Sequence, residues 1–189
     1  MALEFHKMHG AGNDFVLIDA RDHVFDIDPE RASMIANRQL GIGCDQILVL
    51  RRAAHAGMLA RYEIWNSDGS PAAQCGNGAR CVGLYLERCG ETGSEPFAVE
   101  SPAGVVTMQR CEDGEYELDM GVPEFAASKI PVELESAGGL YRLDSRWGRL
   151  EFGAASMGNP HALLSIDDIS DSNIPAIVAF ISNHEVFHE

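Results

Sequence analysis

The period of apolar and polar positions changes several times along this chain, and each change marks an element. Residues 3–8 and 14–19 read as two strands, the second with Phe15-Val16-Leu17-Ile18 at its centre. His9-Gly10-Ala11-Gly12-Asn13 forms the turn between them. A helix is predicted over residues 29–39, with Asp28 as N-cap, Pro29 in the first helical position and Gly41 as the stop. Strands are predicted at residues 46–51 and 58–66, the latter running into an Asp68-Gly69 turn. Over residues 76–89, Ala79, Val82, Leu86 and Cys89 recur at helical spacing, while Cys81, Leu84 and Tyr85 add apolar groups on other sides. A helix so apolar around its circumference is expected to be buried on most faces. Strands follow at residues 97–101, 105–111 and 116–120, separated by turns at Ala103-Gly104 and Asp113-Gly114.

Periodicity weakens over residues 121–147, which hold Pro123, Pro131 and Gly138-Gly139. This stretch divides a first domain, residues 1–120, from a second, residues 121–189. Within the second, residues 150–156 and 163–166 are predicted strands and residues 174–181 a short helix. An internal echo links the two parts. Gly12-Asn13 leads into Val16-Leu17-Ile18-Asp19, and Gly158-Asn159 leads into Leu163-Leu164-Ser165-Ile166-Asp167. If this is a duplication, a counterpart of Cys75, which follows Asn13 by about 62 positions, is expected near residue ~221.

Composition narrows the functional classes. Of 189 residues, 46% are apolar and 23% charged, enough for a buried core. A net charge of −15 repels phosphate backbones and anionic lipid, so neither nucleic acid nor a membrane is an expected partner. The first residues lack the apolar core of a secretory signal, and no apolar run reaches the ~18 residues of a membrane span. The cysteines fall at 44, 75, 81, 89 and 111, an odd number without C-x-x-C or zinc-site spacing. A cytoplasmic protein with reduced thiols and no bound metal is expected.

The strongest local signal is Asn66-Ser67-Asp68-Gly69 followed by Gln74-Cys75-Gly76-Asn77-Gly78-Ala79-Arg80-Cys81. Cys75 falls at the start of the most apolar helix, where unpaired backbone N–H groups and the helix dipole favour a thiolate and also seat a carboxylate. Gly76 and Gly78 open the backbone to a ligand. The residues alone leave another reading open, with Asn77-Gly78 as a hairpin turn and Cys75 as a small buried side chain. A phosphate loop is disfavoured, because no Gly-Lys-Ser/Thr follows. Asn13, Gln46, Asn66 and Asn159 all sit at turns or strand ends, where they suit an amino-acid head group or plain turn chemistry. His161 is equally suited to orienting a ligand or to a structural hydrogen bond. The remaining cysteines are read as packing residues, and Asp167, Asp168 and Asp171 as a solvated turn.

Four blocks, in order, resemble the diaminopimelate epimerase family. They are Met8-His9-Gly10-Ala11-Gly12-Asn13-Asp14-Phe15, Gly41-Ile42-Gly43-Cys44-Asp45-Gln46, the Asn66 to Cys81 block, and Met157-Gly158-Asn159-Pro160-His161. The resemblance implies an α+β fold of two pseudo-symmetric domains, each a mixed sheet curled around a central helix, with the active site in the cleft between them. It implies an isomerase that interconverts LL- and meso-diaminopimelate in lysine and cell-wall precursor biosynthesis without a cofactor. One thiolate takes the α-proton and a second thiol returns it from the opposite face. Cys75 matches the first. Asn13, Gln46, Asn66, Gly76, Asn77 and Asn159 match substrate contacts, with His161 in support. The family also allows a homodimer. Its second cysteine block, an Ala-Cys-Gly-Ser/Thr-Gly-like turn, has no match in this sequence. On this reading the second domain is incomplete, the chain by itself is expected to be inactive and marginally stable, and sheet edges lie uncovered. Two other readings stay open: a non-catalytic amino-acid-binding fragment, and another cofactor-independent racemase of this fold, such as a proline-racemase-like enzyme.

Overall fold

The computed structural model describes residues 3–136 and 138–187, and the chain divides into two compact units, Met1–Gly121 and Val122–Glu189. The first unit is a mixed sheet with two helices. Strands β1 (His6–Gly10) and β2 (Asn13–Asp19) form an antiparallel hairpin through Ala11-Gly12, and Gly12 adopts φ 92° in the turn. Helix α1 (Pro29–Ala36) carries the chain across to β3 (Gln46–Arg51), which runs parallel to β2. Antiparallel β4 (Arg61–Asn66) and the short β5 (Pro71–Ala72) come next, then helix α2 (Gly76–Arg88). Strand β6 (Phe97–Ser101) joins β4 in parallel and continues antiparallel into β7 (Gly104–Arg110) and β8 (Tyr116–Asp119).

Side-chain alternation divides the core between the two faces of this sheet. Phe15, Leu17, Leu48, Leu50, Tyr62 and Ile64 point to one face and pack around α2 through Ala79, Val82, Tyr85 and Leu86. Val16, Ile18, Ile47 and Val49 point to the other and pack on Ala32, Ile35 and Ala36 of α1. Because β2 and β3 are covered on both sides, they are apolar almost without interruption. Helix α2 touches β1 and β2 near one edge of the strand order and β8 at the other, so the sheet curls around it. Burying each Leu or Val of this seam stabilises the unit by about 1.5–3 kcal/mol. Gly83 lets the helix approach closely: a Cβ there would lie 3.1 Å from both Met108 Sδ and Tyr116 Cε1.

The second unit is an antiparallel sheet of β9 (Leu140–Ser145), β10 (Gly148–Ser156) and β11 (Pro160–Leu163), followed by helix α3 (Ile174–Ser182). Ile130, Val132, Tyr141, Leu143, Phe152 and Ala154 form its core, with Phe180 and Phe187 packed against them. All four residues of β11 are exposed.

Several boundaries differ from the sequence reading for identifiable reasons. Helix α1 ends at Ala36, three residues short of 39. Asn37 stops it: its side-chain oxygen accepts the N–H groups of Gln39 and Leu40, and Gly41, Ile42 and Gly43 fold their N–H groups back onto Asn37 and Ile35 carbonyls. The strand expected from residue 58 begins at Arg61, because Leu59 N–H bonds to Ala98 and Ala60 accepts from Glu100 before the pairing with β3 starts. Strand β1 starts at His6 rather than residue 3, set by its pairing of His6 with Leu17. Strand β9 lies inside the stretch expected to lack periodicity. It buries only Tyr141 and Leu143, a signal too short to stand out beside Gly138-Gly139. Strand β11 covers Pro160–Leu163 and not residues 163–166, because its pairing with β10 begins at once after the Asn159 turn, with Ser156 opposite Pro160. No helix among the described residues is long and apolar enough to cross a membrane.

The N-terminus of α1 is held by the Asp28 cap, whose carboxylate accepts the Arg31 N–H at 2.8 Å, a contact worth about 1 kcal/mol. The same turn lies against Gly69, which has φ +89°, and a Cβ on Gly69 would fall 2.2 Å from the Pro29 carbonyl oxygen. Gly69→Ala should therefore destabilise the protein by more than about 2 kcal/mol through combined backbone strain and clash. Urea denaturation checks this, and an unchanged midpoint would mean that the Pro29 turn can withdraw freely.

Candidate active site

The first turn of α2 is built around a sulfur. Cys75 is the N-cap, with extended backbone angles (φ −153°, ψ 104°), and its Sγ accepts the Gly78 N–H at 3.3 Å. The N–H groups of Gly76 and Asn77 have no acceptor within the helix by geometry alone, and the dipole is positive at this end. Gly78 sets the depth of the turn. A Cβ there would lie 3.1 Å from Leu48 Cδ2, 3.4 Å from Phe15 Cε1 and 3.5 Å from the Cys75 sulfur. Any larger residue would lift the turn from the sheet and crowd the thiol. Gly76 is similarly close to Met120, whose Sδ would be 3.2 Å from an added Cβ. Helix α2 continues directly from this turn, which decides against a hairpin at Asn77-Gly78.

Three polar residues end the apolar columns of the sheet's inner face. Asn13 shares its face with Phe15 and Leu17, Gln46 with Leu48 and Leu50, and Asn66 with Ile64 and Tyr62. Register brings them to one end of neighbouring strands, since Gln46 lies opposite Asn66 and also opposite Phe15, two residues beyond Asn13. Asn77 joins them: its Nδ2 donates to Asn13 Oδ1 at 2.8 Å. Gly10 allows this approach, for a Cβ there would sit 3.3 Å from the Asn77 carbonyl oxygen. Gln46 Nε2 donates to Asn66 Oδ1 at 2.8 Å, Asn66 Nδ2 to Ser70 Oγ at 3.0 Å, and Ser70 Oγ to Asp68 at 2.6 Å. Gln46 Oε1 is buried and finds no donor among the described residues.

Cys75, Gly76, Asn77, Asn13, Gln46 and Asn66 are thus gathered at one end of the first unit. Asn159 and His161 belong to the second unit and are exposed. There His161 Nδ1 donates to the Asn159 carbonyl at 2.6 Å, leaving Nε2 as the free nitrogen. Both residues line a cavity of about 410 Å³ with Ile130, Val132, Ile181 and Phe187.

Charged residues to which the sequence reading assigns no role brace the Asn13 turn. Asp14 pairs with Lys7 at 2.8 Å and Arg38 at 2.7 Å, Arg38 also holds Asp45 at 2.6 Å, and Lys7 reaches the Gly43 carbonyl. Asp45 accepts the Asp14 N–H at 3.1 Å and Asn13 Nδ2 at 3.4 Å. Arg80 donates to Asn77 Oδ1 at 2.9 Å. Asp14, Asp45 and Arg80 lie inside the motif blocks, and position hinted at two of them: Asp45 precedes Gln46, and Arg80 lies three residues after Asn77 on one helical face. Next to Cys75 in the chain, buried Gln74 accepts from Ser101 Oγ at 3.3 Å.

The other cysteines separate by environment. Burial pushes the Cys44 thiol up, and burial followed by the nearby Cys75 pushes Cys81 up to about 11. Both are packing residues, as read from the sequence. Cys111 is half-buried, and Cys89 is exposed, contrary to that reading, because α2 ends at Arg88 and leaves Cys89 as the C-cap outside the packed face. Among the described residues no group of three or more His, Cys, Asp or Glu side chains gathers as a metal site would.

Comparison with known proteins bears on this geometry. A family model described as diaminopimelate epimerase matches residues 5–126. The diaminopimelate epimerase of Thioalkalivibrio sulfidiphilus (strain HL-EbGR7) is 40% identical over 188 residues, covering 99% of this chain and 68% of that protein. The diaminopimelate epimerase of Xanthomonas axonopodis pv. citri (strain 306) is 42% identical over 186 residues, covering 98% of this chain and 66% of the relative. The chain therefore spans about two thirds of the length of these curated relatives. Among solved structures, a hydroxyproline epimerase from Agrobacterium vitis with bound trans-4-OH-L-proline superposes with a TM-score of 0.66 at 21% identity, covering 90% of this chain and 55% of that one. A probable proline racemase from Agrobacterium radiobacter K84 gives 0.67 at 20% identity, covering 94% and 57%. These two likenesses are of fold, and they agree with the α+β architecture of a curled mixed sheet.

Two measurements test the site's physical chemistry. Arg38 and then Lys7 hold the Asp14 carboxyl well below the usual carboxylate range. A depressed folded-state pKa contributes stability above the unfolded value of about 3.9, and that contribution is lost as pH falls below it. Denaturation midpoints of the native chain should thus fall from about pH 4 downward, and Asp14→Asn should flatten that fall; parallel curves for the two proteins would show the pairing to be inert. In native protein, iodoacetamide followed by peptide mapping should label Cys75 and Cys89 well before Cys44 and Cys81. Equal labelling of all four would contradict the burial described.

Proposed function

This chain belongs to the diaminopimelate epimerase family, and from that premise we propose that its first unit carries one half of a two-thiol site that inverts the α-carbon of diaminopimelate without a cofactor. The observation that carries the reading is Cys75 Sγ at the α2 N-cap, 3.3 Å from the Gly78 N–H and half-exposed. As the thiolate, Cys75 removes the α-proton, which is only weakly acidic. The N–H groups of the same turn and the helix dipole stabilise negative charge as it spreads onto the α-carboxylate. Asn13, Gln46, Asn66, Gly76 and Asn77 hold the substrate.

Inversion needs an acid on the opposite face of the carbon, because a single group returns the proton to the side from which it came. Cys44 and Cys81 are buried, and Cys81 lies six residues along the same helix, about 9 Å from Cys75; Cys89 caps the far end of that helix, about 21 Å away, and Cys111 follows Arg110, which pairs with Glu87 near that far end. We assign the second thiol to the third of the relatives' length that this chain does not span, and place the enzyme in lysine and peptidoglycan-precursor biosynthesis. These 189 residues alone therefore bind substrate without inverting it. The 40–42% identities to diaminopimelate epimerases, against 20–21% to proline and hydroxyproline enzymes, favour this substrate over a proline-type one.

Incubating the chain with LL-diaminopimelate in deuterated water should yield no meso isomer, and LL-diaminopimelate should slow alkylation of Cys75 while leaving Cys89 unaffected. Formation of the meso isomer by this chain would place a second acid within it and overturn the division proposed. Unprotected Cys75 would remove it from the substrate site altogether.

A further inference from the structure

Four side chains beside the candidate site hydrogen-bond in a row. Arg80 Nη1 donates to Asn77 Oδ1 at 2.9 Å, Asn77 Nδ2 donates to Asn13 Oδ1 at 2.8 Å, and Asn13 Nδ2 donates to Asp45 Oδ2 at 3.4 Å. A carboxamide has one accepting and one donating end, so by itself it can join a network either way round. The two ends of this row remove that freedom. A guanidinium only donates, so Asn77 must present Oδ1 to Arg80 and Nδ2 to its other neighbour. Asn13 must then offer Oδ1 to Asn77, which turns its Nδ2 toward Asp45. Working inward from Asp45, a carboxylate that only accepts, gives the same orientation.

The consequence lies in the capacity left over. Each Oδ1 already accepts a bond within the row, whereas each Nδ2 uses one of its two hydrogens there. The row therefore fixes the side on which each half-buried asparagine keeps its spare N–H, apart from the remaining lone pair of its Oδ1. Were either amide reversed, it would aim a carbonyl oxygen where the donor now stands. The anchors are themselves held in place. Asp45 also accepts the Asp14 N–H and pairs with Arg38, and Arg80 rises from α2 one turn after Asn77.

We propose that Arg80 and Asp45 are positioning residues that fix the polarity of the Asn77 and Asn13 amides, so that both donate to a carboxylate of the bound ligand. This rests on the reading above that Asn13 and Asn77 contact the ligand. Arg80 is exposed, so its replacement removes the donor without opening the core.

The test uses the 189-residue chain, side-chain amide NMR signals and titration with LL-diaminopimelate. In Arg80→Met the Asn77 signals should move, and so should those of Asn13, two hydrogen bonds away from the guanidinium. Affinity for LL-diaminopimelate should drop about tenfold, the scale of one charge-assisted hydrogen bond, and Arg80→Lys, which keeps a donor, should restore most of it. Asn77→Ala serves as the control. If Asn77→Ala weakens binding while Arg80→Met does not, or if the Asn13 signals ignore Arg80→Met, the positioning role is overturned and the reading of Asn77 as a contact survives. If the unaltered chain does not bind, or Asn77→Ala binds as well as it does, the contact reading itself fails and takes this inference with it.

Discussion

The closeness of the first turn of α2 to the inner face of the sheet sets the rest of the first unit. Gly78 stands where any side chain would meet Leu48, Phe15 and the Cys75 sulfur, so the turn rests directly on β2 and β3. That contact places the N-cap thiol and the unpaired N–H groups of α2 over the strand ends that carry Asn13 and Gln46. Farther along the helix, Gly83 repeats the device against Met108 and Tyr116, and a sheet that must close on both sides of one helix has to curl. The apolar seam supplies the stabilisation, and the glycines decide how near the polar end of the helix comes to the polar end of the sheet.

The site's polarity follows from that placement. The inner columns of β2, β3 and β4 run apolar up to a terminal amide, so the boundary between core and site is one residue thick there. Two directed rows of hydrogen bonds run through these amides, one ending on Asp45 and the other on Asp68. Surface ion pairs such as Lys7–Asp14 and Arg38–Asp45 are individually weak, since they are partly exposed and screened. Their value here is geometric, because they hold the Asn13 turn and the segment before Gln46 in one arrangement. A thiol at a helix N-terminus with amide donors around it suits an anionic group.

The second unit repeats a small part of this design. Asn159 follows Gly158 in its left-handed conformation (φ 88°) and leads into β11, as Asn13 follows Gly12 (φ 92°) and leads into β2. The resemblance stops at burial. Strand β2 is covered on both faces, whereas the four residues of β11 are all exposed, with Leu163 at its end. The core of this unit is correspondingly small and leans on aromatic contacts, such as Tyr141 stacked on Phe152 with centroids 5.6 Å apart.

Local chemistry alone determined a good deal of this protein. The Asp28 cap and Pro29 start α1, the helical spacing of Ala79, Val82 and Leu86 locates α2, and the Phe15 and Gln46 runs locate the central strands; each rests on neighbours within a few residues. The four motif blocks pointed to the family and to Cys75 for the same reason, since an N-cap and its glycines are contiguous in the chain. Where α1 stops and where β11 begins also rest on near neighbours, through the Asn37 side chain two and three residues from its donors and the β10–β11 hairpin, although neither leaves a hydrophobic period to read. Tertiary structure decided what depends on distant partners. The facing of Asn13, Gln46 and Asn66 onto one surface needed strand register, and the orientation of the asparagine amides needed Arg80 and Asp45, 35 positions apart in the chain, at opposite ends of one row. A hydrogen bond between residues far apart in sequence leaves no period to read, so its partners became visible only when the sheet closed around α2.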